Sequence, residues 1–347
     1  MKKLLLCGIL VFFLMAGGCG SPAVNEADGN QSSTQAEPIQ IKLATQATTE
    51  QSNYRRIETL ISTIEEQSKG AIDITLHPAD QLGDYSLTFE EIIKGNIEMA
   101  INSIPSTYDS RADAIYGFYI AKDYQEAADY YGKDNFMFSL VDEITGSRNI
   151  KFLGFDCLGF GGLGFVKQPE DYNIPGADKK IVARVPATDF SRLYMSGLGY
   201  HPVTVNYSDL YSALQTGAVE GWVGGQADVN YLSFGDVIKY YIVTNDFVEM
   251  SSIMINQEIW DSLSPELQQI IQTAADELFT QSLIDAKADA EKYYALMEEK
   301  GITVLQLSPE ELSAHADYIR NNVWPEAEDT LTPEVLQQLQ KMVGVSQ

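Results

Sequence analysis

The sequence predicts an α/β fold of two domains with parallel-type sheets, braced by one long helix. Short apolar, β-branched runs alternate with segments of helical periodicity, the order typical of parallel sheets. The 347 residues are enough for two domains of ordinary size. Neither proline nor glycine interrupts the apolar stripe from Glu266 to Lys300. At about 1.5 Å per residue, a helix of that length exceeds one small domain.

The N-terminus has the pattern of an export signal. Lys2 and Lys3 precede an apolar run from Leu4 to Met15 that is too short for a good membrane span. Ala16-Gly17-Gly18-Cys19 then resembles a bacterial lipobox, which implies a signal peptide over 1–18 and lipidation of Cys19. Simple secretion is the alternative, because alanine is less usual than leucine three positions before the cysteine. Residues 19–38 would be the lipidated cysteine and a flexible tether, holding the protein at an extracytoplasmic membrane face.

Composition excludes several classes of function. The formal net charge of −26 predicts a surface that repels nucleic acid and anionic lipid headgroups. The three histidines show no metal-ligand spacing, so we expect neither metal nor cofactor. Cys157 has no cysteine partner once Cys7 is cleaved and Cys19 is lipidated. It is either a small buried strand residue or an activated nucleophile, and the first is favoured because no histidine lies near it in sequence.

The first elements form two β-α-β units. Strands are predicted at Ile39–Ala44, Ile72–Leu76 and Ile97–Ile101, each pair separated by an amphipathic helix. Right-handed crossovers make such strands parallel, so the loops after Ala44 and Ile101 meet at the same sheet edge. Gln46, Asn102 and Ser103 are therefore candidate ligand-facing residues, with turn or cap roles as the alternative.

A glycine-rich segment follows predicted helices over 124–143 and a strand from Ile150 to Phe155. Gly159 to Gly164 matches the G-x-G-x-x-G dinucleotide pattern, which requires a helix to begin within it. Pro169 and Pro175 prevent a long helix here, and exported chains rarely meet NAD. We interpret the segment as a glycine-rich crossover.

The most informative stretch contains one cation at the end of a buried strand. Ile181–Val185 predicts that strand, with Arg184 near its carboxyl end and Pro186 terminating it. A helix, a strand at 201–205, a helix ended by Gly217 and a strand at 218–222 follow. Parallel sheets bind ligands at the carboxyl ends of their strands. The buried guanidinium must be paired, either with a protein carboxylate or with a bound one.

The C-terminal third is mainly helical. We predict a helix at 234–241 running into a strand at 242–244, and another strand at 250–255. Ser264 caps the long helix, which begins at Pro265. Ser308 to Glu311 forms a capping box for a helix to about residue 323, and Thr332 starts the last one.

These residues resemble a known family. Arg184-Val-Pro186, Gly197-Leu-Gly-Tyr-His-Pro202 and Asp209 to Gly221 are similar to the DctP-like solute-binding proteins of TRAP (tripartite ATP-independent periplasmic) transporters, as are Gln81-Leu-Gly83 and Gly95 to Met99. The resemblance implies a periplasmic-binding-protein clamshell without catalysis or cofactor. It implies that Arg184 binds the carboxylate of a small organic acid, which is delivered to a two-part TRAP membrane permease.

The clamshell divides the chain into expected domains. Domain I covers 39–154 plus about 246–280, and domain II covers 155–245. The interdomain helix covers 264–300, and C-terminal helices over 301–347 pack on domain II.

The chain departs from the family pattern at two places. Gly161-Gly162-Leu163 replaces a second arginine, and Val223-Gly224-Gly225 replaces an Asn-Pro. We therefore expect a less polar pocket in which Tyr207, Trp222, Gly224 and Gly225 face the ligand. Its ligand would be a monocarboxylate with an apolar or aromatic body, or a keto or hydroxy acid, rather than a sugar acid.

Two other functions stay open. A sensor that signals to a membrane receptor would need the same clamshell. A secreted hydrolase would need a nucleophile with a base, and Ser196 lacks the leading glycine of G-x-S-x-G.

Overall fold

The computed structural model describes residues 37–186 and 189–345. The predicted signal peptide (1–18), Cys19 and nearly all of the tether lie outside the described residues. In the described part the strands are β1 (Ile39–Thr45), β2 (Ile72–His77), β3 (Met99–Asn102), β4 (Ile150–Phe160), β5 (Leu163–Phe165), β6 (Val182–Val185), β7 (His201–Thr204), β8 (Gly221–Val223), β9 (Tyr240–Val243), β10 (Val248–Asn256) and β11 (Thr303–Gln306). The α-helices are α1 (Ser52–Gln67), α2 (Tyr85–Ile93), α3 (Tyr124–Tyr131), α4 (Phe136–Gly146), α5 (Asp189–Gly197), α6 (Tyr207–Thr216), α7 (Ala227–Phe234), α8 (Gln257–Ser262), α9 (Pro265–Glu299), α10 (Pro309–Asn322), α11 (Glu328–Leu331) and α12 (Pro333–Met342).

These elements form two mixed sheets, which confirms the predicted α/β class. The first sheet has the order β2-β1-β3-β10-β4 and the second β11-β9-β5-β8-β6-β7. β1 runs parallel to β2 and β3, and β6 runs parallel to β7 and β8, as the β-α-β pattern predicts. β10 and β5 are antiparallel to their neighbours. They adjoin the chain segments that pass from one sheet to the other, so they enter each sheet in the opposite direction.

Two segments cross between the sheets side by side. One joins β4 to β5 through Gly161 and Gly162, and the other joins β9 to β10. A Cβ on Gly161 would lie 2.1 Å from the Phe247 ring, and one on Gly162 would lie 2.4 Å from the Tyr241 hydroxyl oxygen. The glycines therefore allow the two segments to approach closely. Residues 159–165 continue as strand and loop, which confirms a crossover rather than a dinucleotide-binding turn.

Helix α9 packs on both sheets, as its length predicts. The Ser264 hydroxyl accepts a hydrogen bond from the Leu267 amide at 3.3 Å and caps its first turn. Ile271 and Leu278 belong to the core that covers the first sheet. Met297, five turns further on, belongs to the core beneath the second sheet. In the described ranges, no helix is both long enough and apolar enough to cross a bilayer.

Two C-terminal features were not predicted from the sequence. β11 pairs in parallel with β9, although its four half-exposed residues show too little alternation to indicate a strand. The C-terminal helices also contact the segment between β3 and α3. Arg320 Nε donates to the Tyr119 carbonyl oxygen at 2.9 Å, and Trp324 Nε1 donates to that of Phe118 at 2.9 Å. These carbonyls lie in a non-helical segment after β3, where they lack ladder partners.

One helix is shifted along the chain. The helix predicted at 234–241 lies at 227–234 as α7. Its apolar residues do not lie on one face, since Phe234 is buried and Leu232 is 61% exposed, so its sequence shows no single apolar stripe.

Candidate ligand-binding site

Arg184 lies in the parallel part of the second sheet, on β6. It stands in register with Trp222 of β8 and Val203 of β7, so the Arg184 and Trp222 side chains share one face. Arg184 is 6% exposed. Its Nε donates to the Val205 carbonyl oxygen at 2.9 Å. The guanidinium carbon lies 5.9 Å from the centroid of the Tyr207 ring, within cation–π range.

The described side chains provide no carboxylate partner for this guanidinium. None of their Asp or Glu oxygens is within ion-pairing distance of Arg184, and neither of its Nη atoms makes a hydrogen bond to them. Burial lowers the pKa of Arg184 from its usual value, opposed by the Tyr207 phenol. An isolated buried charge costs several kcal/mol. The two Nη atoms are thus available to a bound anionic group.

A cavity of about 320 Å³ adjoins Tyr207 and Trp222, two neighbours of this residue, although Arg184 itself is not part of its lining. Tyr207, Trp222 and Gly225 line it, together with the first turn of α1 and Glu249 of β10. A wider groove of about 830 Å³ between α1 and α9 adjoins the cavity at Ser52 and Arg56. The cavity therefore brings together residues from both sheets.

Aromatic rings form one wall of the cavity. The ring centroids of Tyr207 and Trp222 are 6.2 Å apart, and those of Trp222 and Phe234 are 4.9 Å apart. Trp222 Nε1 donates to the buried Asn230 Oδ1 at 3.1 Å, which fixes the indole plane. Gly225 has a φ of 75°, and a Cβ there would lie 2.7 Å from the Trp222 ring. Glycine is required here by both backbone conformation and space.

The adjacent Gly224 has the same requirement for backbone conformation. Its φ is 117°, and a Cβ would lie 3.2 Å from the Trp222 ring. The two glycines thus let the chain turn tightly around the indole edge.

A second buried arginine, Arg56 of α1, lines the cavity directly. Its Nη2 and Nε donate to Asp156 Oδ1 at 2.9 and 3.2 Å, and Nη2 also donates to the Cys157 carbonyl oxygen at 3.1 Å. Its Nη1 is 3.7 Å from an oxygen of the Asp285 carboxylate. Arg56 therefore already has carboxylate partners, in contrast to Arg184.

Two carboxylates give the cavity a polar character. Glu249 and Asp228 line it, and Gln226 Nε2 donates to Glu249 Oε2. Burial raises the pKa of both carboxyl groups. Acidic and amide side chains from β10 and the start of α7 thus line the cavity together with the aromatic wall, and the lower polarity expected relative to the family stays a prediction.

The residues predicted after β1 and β3 are close to one another but do not line this cavity. The backbone amide nitrogen of Gln46 donates to Asn102 Oδ1 at 2.8 Å, as expected for loops at one sheet edge. Asn102 is 2% exposed, and its Nδ2 has no partner among the described atoms. Ser103, which follows it, is half-buried. In this structure Asn102 joins two neighbouring strands.

Cys157 is fully buried in β4. Burial raises the pKa of its thiol to about 12. This agrees with the structural interpretation of Cys157, since a reactive cysteine needs a lowered pKa.

Sequence reasoning missed Arg56, Asp228 and Glu249. Arg56 falls on the buried face of α1, with Asn53 and Leu60 one turn away on either side. A charged residue within an apolar stripe was a usable signal for it. The two acids follow ordinary strand and helix patterns, and no local feature marked them.

Comparison with known proteins agrees with this architecture. Residues 43–329 match the model of the DctP family, described as bacterial extracellular solute-binding protein, family 7. The chain is 25% identical over 266 residues to the sialic acid-binding periplasmic protein SiaP of Vibrio cholerae, covering 76% of this chain and 82% of that protein. It is 23% identical over 284 residues to the C4-dicarboxylate-binding periplasmic protein DctP of Rhodobacter capsulatus, covering 80% and 84%.

A solved structure shows the same fold. A TRAP periplasmic solute binding protein from Ochrobactrum anthropi, with its C-terminus bound in its ligand binding pocket, aligns with a TM-score of 0.76. The two chains are 22% identical, and the alignment covers 89% of this chain and 97% of the other. The match of residues 43–329 to the family model confirms the resemblance found in the sequence, and the chain belongs to family 7 of the bacterial extracellular solute-binding proteins, the DctP family.

Proposed function

We propose that the chain is an extracytoplasmic lipoprotein that captures a small organic acid and delivers it to a two-part TRAP membrane permease. The observation that carries this proposal is Arg184, which is buried next to Tyr207 of the cavity lining and has no carboxylate partner among the described residues. A guanidinium offers a planar fork of donors that matches a carboxylate. The relatives named for sialic acid and C4-dicarboxylate binding also take acids.

The fold offers a way to enclose the ligand. We propose that the two sheets act as separate domains, near 39–154 plus 246–280 and 155–245. They would close by bending at the two crossing segments while α9 braces both. A ligand that contacts both sheets stabilises the closed state through its higher affinity for that state. Lipidation of Cys19 would keep the protein at the membrane that holds the permease.

Calorimetry with a panel of organic acids tests the role of Arg184. We expect Arg184→Gln to weaken the best-binding acid by about 2–5 kcal/mol, or roughly 30- to 5,000-fold. Without ligand, the variant should be at least as stable as the parent, because it removes an unpaired buried charge. A residue that served only packing would show the opposite pattern, with lower stability and unchanged affinity.

Lys341→Gln is the control for the loss of one positive charge. Lys341 is exposed at the end of α12 and lines neither the cavity nor the groove. It removes the same charge, so its affinity should match that of the parent. Equal affinity of parent and Arg184→Gln for every acid would refute the proposal.

A further inference from the structure

The cavity lining contains two carboxylates, Asp228 and Glu249, and the buried Arg184 lies next to Tyr207 of that lining. Arg184 has no carboxylate partner among the described side chains. Asp228 and Glu249 likewise make no ion pair with a described Lys, Arg or His. All three lie beside Tyr207 or in the lining that includes it. A ligand that satisfies this cavity must therefore offer both signs of charge.

Local hydrogen bonds leave acceptor capacity on both carboxylates. Gln226 Nε2 donates to one oxygen of Glu249, and Glu249 Oε1 has no described donor. The Asp228 Oδ1 atom accepts from the Val229 amide at 2.8 Å, and Oδ2 has no described donor. A carboxylate can accept about four hydrogen bonds. Both side chains can therefore receive several donors from a ligand.

The pKa shifts agree with this geometry. Burial is the largest cause of the raised pKa of Glu249, and Asp228 adds to it. Burial also dominates at Asp228, where Lys292 acts in the opposite sense without forming an ion pair. A cation bound between them would lower both values.

Arg56 is a buried charge that carboxylates of the protein itself neutralise. Asp156 accepts two hydrogen bonds from its guanidinium, and the Asp285 carboxylate lies 3.7 Å from Nη1. An unpaired buried charge costs several kcal/mol, and a bound counter-charge removes that cost. The contrast indicates that a bound ligand supplies the counter-charges that Arg184, Glu249 and Asp228 lack.

We infer that the ligand is a small zwitterion, whose carboxylate binds Arg184 and whose amine, as a cation, binds Glu249 and Asp228. This inference rests on the proposed function and narrows its ligand class to amino acids in the broad chemical sense. A second carboxylate would meet two acidic side chains, and like charges in contact cost several kcal/mol in recognition. Dicarboxylic acids are therefore disfavoured. The aromatic wall of Tyr207 and Trp222 can also stack on a cationic amine.

A length-matched series of straight-chain acids tests this inference. Unbranched acids of three to six carbons carry at the far end an ammonium, a hydroxyl, a methyl or a second carboxylate group. In calorimetry on the full-length protein we expect, at the best length, the ω-amino acid to bind at least 10-fold more tightly than the other three. We expect Glu249→Gln to remove at least 10-fold of that affinity and to leave the methyl-ended acid unchanged or tighter.

Glu299→Gln is the control for the loss of one negative charge. Glu299 is exposed at the end of α9 and lines neither the cavity nor the groove. Its affinities should equal those of the parent. Two measurements separate misfolding of Glu249→Gln from lost recognition. An unchanged thermal unfolding curve shows that the variant is folded, and retained binding of the methyl-ended acid shows that its cavity is intact.

The outcomes separate the two proposals. If hydroxy, unsubstituted or dicarboxylic acids bind through Arg184 as tightly as the ω-amino acids, or if only they bind, the zwitterion inference is wrong and the proposed function stands. If the ω-amino acids bind best but Glu249→Gln changes nothing, the inference is also wrong. If no acid binds, or if Arg184→Gln leaves the affinity for every acid unchanged, the proposed function itself is wrong.

Discussion

Replacing Asp156 by leucine while Arg56 is kept would leave a guanidinium buried without its main partner. The pair joins α1 to β4 across 100 residues of sequence, with side-chain exposures of 6% for Arg56 and 0% for Asp156. Burial raises the pKa of Asp156 despite the opposing effect of Arg56, so desolvation outweighs the attraction. The pair should therefore add little net stability, although breaking it should be costly.

The expected magnitude follows from this burial. Removing one partner of a buried pair costs about 3–5 kcal/mol. For a folded unit of about 310 residues, with an unfolding entropy of roughly 2.1 cal/mol/K per residue, this lowers Tm by about 5–8 °C. The double variant Arg56→Met with Asp156→Leu removes both charges and should be more stable than either single variant.

Urea and thermal unfolding of the four proteins form a double-mutant cycle. We expect a coupling free energy of at least about 2 kcal/mol. Lys94→Met is the control, because Lys94 forms exposed pairs with Glu90 and Glu91 that solvent screens and that should contribute little to stability. Additive single effects, or an Asp156→Leu protein as stable as the parent, would refute the reasoning.

Three further predictions follow from individual residues. Burial raises the pKa of Asp246 to about 6. The folded protein holds this proton more tightly than the unfolded chain does. The resulting stabilisation of the folded state is fully present below pH 3.8 and is lost as the pH rises through about 6. Asp246→Asn should thus raise the urea unfolding free energy by about 3 kcal/mol at pH 8 and little at pH 3.5, and an equal effect at both pH values would contradict this. Ile271→Ala, in the core under α9, should cost about 2–5 kcal/mol in the same assay, whereas Ile284→Ala at a 58% exposed site should cost under about 0.5. Gly225→Ala should displace the Trp222 ring and cost about 1–2 kcal/mol, visible as changed tryptophan fluorescence and weaker ligand binding, and an unchanged spectrum and affinity would show that the site tolerates a Cβ.

Local sequence signals accounted for most of the elements. The Ser264 cap, the Ser308 capping box and the left-handed Gly217 lie where predicted, because each depends on contacts within a few residues. The β-α-β periodicity predicted the parallel strands, and the uninterrupted stripe predicted the length of α9. The candidate cation Arg184 was identifiable because a charge in a β-branched run is costly.

Local sequence signals did not predict contacts between residues that are far apart in the chain. Asp156 pairs with Arg56 across 100 positions, and Glu249 accepts from Gln226 across 23. Strand β11 forms by parallel pairing with β9 at the edge of the second sheet. No pattern within a few residues encodes such partners.

The sequence alone thus determined most of the strands and helices. It also identified Arg184 as a charge that is costly to bury without a partner. Only the tertiary structure decided that this arginine lies next to a cavity lined by two carboxylates and an aromatic wall. The physical reason is range. Helix capping and periodicity act through neighbouring residues, whereas the charge balance of a cavity is the sum over side chains that meet only after the sheets have packed.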